Sequence, residues 1–170
     1  MSAIAKIISG VVAVVLIGVG VYIGLTHQSN TAPADWKTYT NAQYGFELQY
    51  PEQYSLASQS FEPRVKVMAI YDPAEKTAEF GSYFLVSVQK SNLEQAVSDF
   101  KKNLSSAQLP IKGGSAVMFA GLPAYRIDYV SMGLPTRSIL VAHGSETFDI
   151  QWTLDRPYFD QILSTFRFTK

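Results

Sequence analysis

An uninterrupted apolar run near the amino terminus constrains this chain more than any other feature. Residues 7–25, IISGVVAVVLIGVGVYIGL, contain no charged side chain. At about 1.5 Å of rise per residue, a helix of this length extends about 29 Å, which matches the roughly 30 Å hydrocarbon core of a bilayer. The run predicts one transmembrane helix, preceded by a short tail over residues 1–6 and followed by a polar tether over residues 26–34.

The alternative interpretation of this run is a cleaved secretory signal. Such signals have an apolar core of about 7–15 residues and a small-x-small cleavage site, for which Ala32-Pro33-Ala34 is the candidate. The run is longer than that core and ends well before Ala34, so we favour a retained anchor. Lys6 lies close to one end of the run and only Lys37 close to the other. This slight bias favours a cytoplasmic amino terminus, with residues 35–170 outside the cell membrane.

The charge balance and the absence of cysteine exclude several kinds of function. The chain contains 14 Lys+Arg and 14 Asp+Glu, so its formal net charge is zero. No basic excess is available to neutralise a nucleic-acid backbone, and we expect no nucleic-acid partner. The sequence has no cysteine, which excludes disulfides, thiolate catalysis and cysteine-ligated metals.

Residue patterns beyond the tether predict a folded domain over residues 35–170. Alternating or β-branched runs predict strands at 44–50, 65–71 and 83–89, and four more between 115 and 154. An apolar stripe at helical spacing predicts a helix from Leu93, entered through a capping box from Ser91 to Glu94. A second helix is expected from Pro157. The order βββ-α-ββββ-α favours a layered α+β domain with a largely antiparallel sheet.

Two stretches of this domain are similar to a known family. Tyr39-Thr-Asn41-Ala-Gln-Tyr44-Gly45-Phe46, continuing to Tyr50-Pro51, resembles the opening Y-x-N-x-x-Y-G-F … Y-P element of the PsbP-like family, which is related to the Ran-binding Mog-type proteins. Ile162-Leu-Ser-Thr-Phe166-Arg-Phe168 resembles the closing S-T-F-x-F end of that family.

The resemblance implies a fold and a cellular location, but it does not imply an activity. The implied fold is an α/β/α sandwich around an antiparallel sheet. Photosynthetic members of the family assist the oxygen-evolving complex, but no metal-binding residue of theirs matches this chain, and a shared fold does not transfer a function. Many bacterial relatives are similar to anchored or secreted proteins of unknown role, which agrees with the apolar run.

The one histidine of the domain is the natural starting point for catalysis. His143 could activate Ser138 or Ser145, with Asp149 or Asp128 to orient it. The stretch from Ala142 to Ser145 is instead typical of a two-residue hairpin turn, in which His143 has a conformational role.

The acidic residues also have structural explanations. Asp72, Glu75 and Glu79 lack the spacing of a calcium loop and lie among ordinary loop charges. We expect Asp149 to point outward from its strand and Asp155 to cap the second helix. The sequence therefore predicts no catalytic residue, cofactor or metal site.

The aromatic residues permit a ligand-binding interpretation beside a core one. Trp36, Tyr39, Tyr50, Tyr54 and Trp152 could stack on a planar or sugar ligand, but aromatic residues at alternating strand positions are more often core. The alternating strand pattern accounts least for the presence of Trp36 and Tyr39. Together with Tyr54 they form the predicted interaction surface.

These observations lead to one expected function and two alternatives. We expect a non-catalytic, membrane-anchored domain outside the cell membrane that binds or stabilises another membrane or envelope protein. The first alternative is a small-molecule or glycan-binding module, with an apolar pocket lined by Trp152 or Tyr54. The second is a hydrolase that uses Ser145 and His143.

Overall fold

The structure, a computed structural model, describes residues 35–57, 65–73 and 83–169. The predicted transmembrane helix over residues 7–25 and the tether over residues 26–34 lie outside these ranges. Neither helix within them has the length and apolar character needed to cross a membrane.

Ten strands and two helices make up the described part of the chain. In sequence order they are β1 (Trp36–Asn41), β2 (Phe46–Pro51), β3 (Ser55–Ala57), β4 (Val65–Tyr71), β5 (Tyr83–Gln89), α1 (Leu93–Ser106), β6 (Ile111–Phe119), β7 (Leu122–Ser131), β8 (Leu134–His143), β9 (Glu146–Thr153), α2 (Pro157–Thr165) and β10 (Arg167–Phe168). Their strand pairings are all antiparallel, which confirms the predicted antiparallel α+β class.

Seven strands form the main sheet, in the order β3-β4-β5-β9-β8-β7-β6. Strands β6 to β9 make the predicted meander, joined by two-residue turns. In the turn between β7 and β8, Met132 and Gly133 both have positive φ, at 50° and 80°. Two consecutive positive φ values are the requirement of a type I′ turn, whose twist matches that of the flanking strands.

A separate three-stranded sheet, in the order β1-β2-β10, contains the first predicted strand. The prediction of one sheet that includes this strand and the later ones was wrong. β2 pairs instead with β1 and with the carboxyl-terminal strand, where Phe46 lies opposite Phe168. β1 was not predicted because Lys37, Thr38 and Thr40 are all exposed, so the strand lacks a clear alternation.

The two faces of the main sheet carry different cores. α1 covers Ile127, Tyr129 and Leu140 on one face. On the other, α2 and the small sheet pack onto alternate residues of the central strands, a core that includes Phe46, Phe84, Val86, Phe148, Ile150, Trp152, Phe159, Ile162 and Phe166. The predicted sandwich therefore has one helical outer layer and one outer layer that combines α2 with three strands.

The amino-terminal caps of both helices differ from the predicted ones. α1 begins at Leu93 as expected, but its cap is Asn92, whose Oδ1 accepts a hydrogen bond from the Gln95 backbone N–H at 2.8 Å. α2 begins at Pro157, and its cap position is occupied by Arg156, with no side-chain cap hydrogen bond. Asp155 instead lies 3.9 Å from the Arg156 guanidinium.

Candidate functional site

The structure places the three residues of the predicted interaction surface against one core. Tyr54 is only 8% exposed, and its ring packs on Tyr158 and Phe159 at centroid distances of 6.2 and 6.3 Å. It is a core residue rather than part of a surface. Trp36 and Tyr39 lie on β1 and are half-buried. The Tyr39 ring lies 5.9 Å from Phe46.

The residues behind the family resemblance build the small sheet. Asn41 closes the turn into β2, because its side-chain oxygen accepts from the Tyr44 N–H and its carbonyl accepts from the Gly45 N–H, both at 2.9 Å. Gly45 has a φ of 64°, which favours glycine. Phe46 then stacks on Phe166 at 5.2 Å. The opening and closing motifs therefore contact each other, and their residues have structural roles in the small sheet.

The structure separates His143 from Ser138, one of the two serines considered with it. His143 is the last residue of β8, opposite Glu146, so the turn consists of Gly144 and Ser145 rather than His143. Ser138 lies five positions earlier on the same strand and so faces the opposite side of the sheet. The His143 ring stacks on Phe168 at 4.0 Å, which gives it a packing role.

Asp149 is buried, against the prediction that it points outward. It is 2% exposed because β9 is a central strand whose second face is also covered within the domain. Its carboxylate accepts hydrogen bonds from the Ser138 hydroxyl and from Gln151 Nε2, the latter at 2.6 Å. Alternation along β9 separated the two faces correctly, but it could not show that both are buried.

This carboxylate is one end of a polar network across the sheet face that carries α1. The Tyr129 hydroxyl donates to Gln151 Oε1 at 3.2 Å, and Tyr83 is hydrogen-bonded to Tyr129. Burial is the main cause that raises the pKa of Tyr83 above its usual value of 10.0, the Tyr129 hydrogen bond opposes the shift, and the Asp149 charge adds to it. The net effect is that Tyr83 keeps its proton to higher pH than an exposed tyrosine does.

A cavity of about 270 Å³ lies over this network, between α1 and the sheet. It is lined by Tyr83, Phe100, Asn103, Leu104, Ala107, Leu109, Tyr129, Ser131 and Gln151, none of which is charged. Trp152 and Tyr54 belong to the opposite core, so they do not line this pocket. Sequence reasoning missed the site. The available signal was a group of polar residues on two central strands, namely Thr136 and Ser138 on β8 and Asp149 and Gln151 on β9.

The outer edge of β6 is a second feature that sequence reasoning missed. β6 is the last strand of the main sheet, and no described strand pairs with its outer edge. Ser115 and Ala116 are exposed, and the side chain of Met118 is 56% exposed. The signal was present in the four consecutive apolar residues 116–119, which break the alternation expected of a strand with one buried face.

Positively charged side chains lie on β6 and on the next two strands of the sheet. Arg126 lies opposite Ser115 on β7, and Arg137 follows on β8. Both contact the single carboxylate of Asp128, with Nε–O distances of 3.4 Å from Arg126 and 2.6 Å from Arg137. Two guanidinium groups thus share one carboxylate, and Lys112 adds a further cation on β6 itself.

Comparisons with known proteins identify the fold. The solution structure of cyanobacterial PsbP (CyanoP) from Synechocystis sp. PCC 6803 superposes with a TM-score of 0.60 at 14% sequence identity, covering 81% of this chain and 95% of that one. The chain therefore has the PsbP-like fold, as its motifs indicated. No family model matches the sequence, and no curated protein is a significant match.

Two other solved structures align over most of this chain with lower scores. LpqN of Mycobacterium tuberculosis, described as involved in cell envelope biogenesis, has a TM-score of 0.48 at 15% identity over 79% of this chain and 91% of that one. A protein from Bacteroides thetaiotaomicron has a TM-score of 0.47 at 16% identity over 80% of this chain and 49% of its own.

Proposed function

We propose that this PsbP-like domain is non-catalytic, is tethered to the outer side of the cell membrane by residues 7–25, and binds a protein partner. The partner contributes an extended segment that adds to the main sheet along β6. The apolar run supports the tether, and the outer edge of β6, with which none of the described strands pairs, is the observation that supports the mode of binding.

The edge of β6 has the properties of a strand acceptor. From Gly114, opposite Ile127, to Phe119, opposite Leu122, the strand pairs regularly with β7 on its inner side. Its outer side presents a row of backbone N–H and C=O groups that a further strand can satisfy. Residues 114–119 include no proline and no charge that would oppose such pairing.

The side chains beside the edge define the chemistry of the partner segment. Met118 offers an exposed apolar contact. Arg126 and Lys112 offer positive charge, with Arg126 half-exposed. The matching segment is extended, with an apolar residue toward Met118 and at least one acidic residue toward Arg126. Its binding weakens as salt concentration rises.

Protease accessibility tests the tether and its direction. In intact spheroplasts, added protease should digest residues 35–170, while a cytoplasmic control protein stays whole. The measured mass of the mature protein should correspond to a chain that retains residues 1–34. A fully protected domain would place it inside the cell, and a mature chain that begins at Asp35 would identify residues 7–25 as a cleaved signal.

Photo-crosslinking in cells tests the partner and its place. A photoreactive amino acid at Met118 of the full chain should give one dominant crosslinked membrane or envelope protein. The same amino acid at Lys102, on the exposed side of α1, is the matched control and should not give that product. Equal crosslinking from both positions, or none from Met118, would contradict the proposed edge.

A further inference from the structure

The cavity beneath α1 is independent of β6 and has a composition that selects a ligand. Its volume of about 270 Å³ corresponds to about nine water molecules at roughly 30 Å³ each. The space is therefore sufficient for one small ring. Phe100 and Leu104, on α1, give it an apolar wall, and the sheet gives it a polar wall.

The hydrogen bonds of Gln151 give the polar wall an acceptor. Because Gln151 Nε2 donates to the buried carboxylate of Asp149, the carboxamide is fixed with Oε1 toward Tyr129. The Tyr129 hydroxyl donates to that Oε1 and is also hydrogen-bonded to Tyr83. A carboxamide oxygen has two lone pairs, so Gln151 Oε1 can accept a second hydrogen bond, for which a matching ligand supplies the donor.

Charge further restricts the ligand. None of the side chains that line the cavity is ionised at neutral pH, so a charged ligand would lose hydration without a counter-charge. The Asp149 carboxylate directly behind Gln151 opposes an anion in particular. At the mouth, Asn103 and Ser131 can each donate and accept hydrogen bonds.

We infer that this cavity is a binding site for a small neutral ring that carries several hydroxyl groups, such as a sugar ring. One hydroxyl group donates to Gln151 Oε1, others bond Asn103 and Ser131 at the mouth, and the apolar face of the ring packs on Phe100 and Leu104. The inference stands whether or not β6 binds a partner, because no residue is shared between the two sites.

The inference predicts an order of binding among matched probes. The full chain in phosphatidylcholine nanodiscs is titrated with methyl β-glucopyranoside, glucuronate and cyclohexanol, and the amide signals of Gln151, Tyr129 and Leu104 are followed by NMR. We expect the glucoside to shift these signals at millimolar concentration. Glucuronate, which adds a carboxylate, and cyclohexanol, which lacks most hydroxyls, should bind at least about tenfold more weakly.

A disaccharide distinguishes two sources of the same ring. If cellobiose binds more tightly than the glucoside, the ring belongs to a glycan chain, and if it binds more weakly, the ligand is a free sugar or polyol. Either result supports the site. The inference is wrong if the glucoside shifts none of the three signals, or if glucuronate or cyclohexanol binds as well as the glucoside.

Two variants place the binding in this cavity. Ala107 lies at the exposed mouth, so Ala107→Trp should block glucoside binding without disturbing the core. Ser106→Trp, exposed and outside the lining, is the control and should bind as wild type does. Unchanged binding by Ala107→Trp would show that the probe binds elsewhere and would overturn the assignment.

Discussion

The imidazole of His143 stacks on the phenyl ring of Phe168, with 4.0 Å between ring centroids and 5° between ring planes. His143 is the last residue of β8 in the main sheet, and Phe168 belongs to β10 in the small sheet. Phe148 meets the Phe168 ring edge-on at 5.1 Å. These ring contacts therefore pack the carboxyl-terminal strand, β10, against the main sheet.

Replacing His143 tests this packing role. We expect His143→Ala to lower the free energy of unfolding by about 1 kcal/mol, since an aromatic pair contributes about 0.5–1.5 kcal/mol. His143→Phe, which can keep the stack, should stay within about 0.5 kcal/mol of wild type. Urea denaturation measures both, with Ser145→Ala in the adjacent turn as control. Equal effects of the alanine and phenylalanine variants would contradict the role of the ring.

The sequence predicted elements whose patterns are local. The bounds of β4 and β5 agree with prediction because each is a short β-branched run between turn residues. The small sheet was not predicted, because its closing strand brings Arg167 to Glu47 across 120 residues of sequence. The local sequence around either residue does not indicate that the two are in contact.

The candidate sites depended on tertiary structure still more. Alternation assigned Asp149 and Gln151 to one face of β9, but only the packing of the whole domain buries the carboxylate and places the amide beside a cavity. Likewise, Ala116 and Met118 are exposed because β6 is an edge strand. The sequence of one strand does not indicate its position in the order of the sheet.

The buried carboxylate of Asp149 should be among the sensitive positions for stability. Asp149→Ala leaves the Ser138 hydroxyl and the Gln151 amide without their acceptor, and an unsatisfied buried polar group costs about 1–3 kcal/mol. We expect a loss of at least about 2 kcal/mol by chemical denaturation. Asp149→Asn keeps one acceptor oxygen and should lose less. Asp99→Ala, which removes an exposed contact with Gln95, should change stability by no more than about 0.5 kcal/mol; similar losses from Asp149→Ala and Asp99→Ala would contradict this account.

Phe100 should hold α1 on the sheet. It is 3% exposed and meets Tyr129 edge-on at 5.7 Å, so Phe100→Ala should lower the free energy of unfolding by about 3–5 kcal/mol. Lys102→Ala, on the exposed side of the helix, should lie within about 0.5 kcal/mol of wild type. Thermal melts compare the two, and a small effect of Phe100→Ala would place the helix in another orientation.

The raised pKa of Tyr83 predicts a loss of stability in alkali. In the unfolded chain Tyr83 ionises near 10.0, whereas in the folded chain burial keeps it protonated to higher pH. Above pH 10 the unfolded state binds fewer protons, so stability falls as pH rises from 10 through the native pKa. Tyr83→Phe removes this contribution. Its stability should decline less steeply than that of wild type above pH 10, and identical slopes in urea denaturation would contradict the burial of this hydroxyl.

Amide hydrogen exchange along β6 tests the central claim most directly. The full chain is labelled with deuterium in its native membranes and, in parallel, after purification into nanodiscs, and residues 114–119 are read by mass spectrometry. A partner strand that pairs with the outer edge satisfies the outward N–H groups and slows their exchange. We predict slower exchange of this segment in native membranes, with α1 unchanged between the two samples. Equal exchange of residues 114–119 in both would mean that no strand is added to β6.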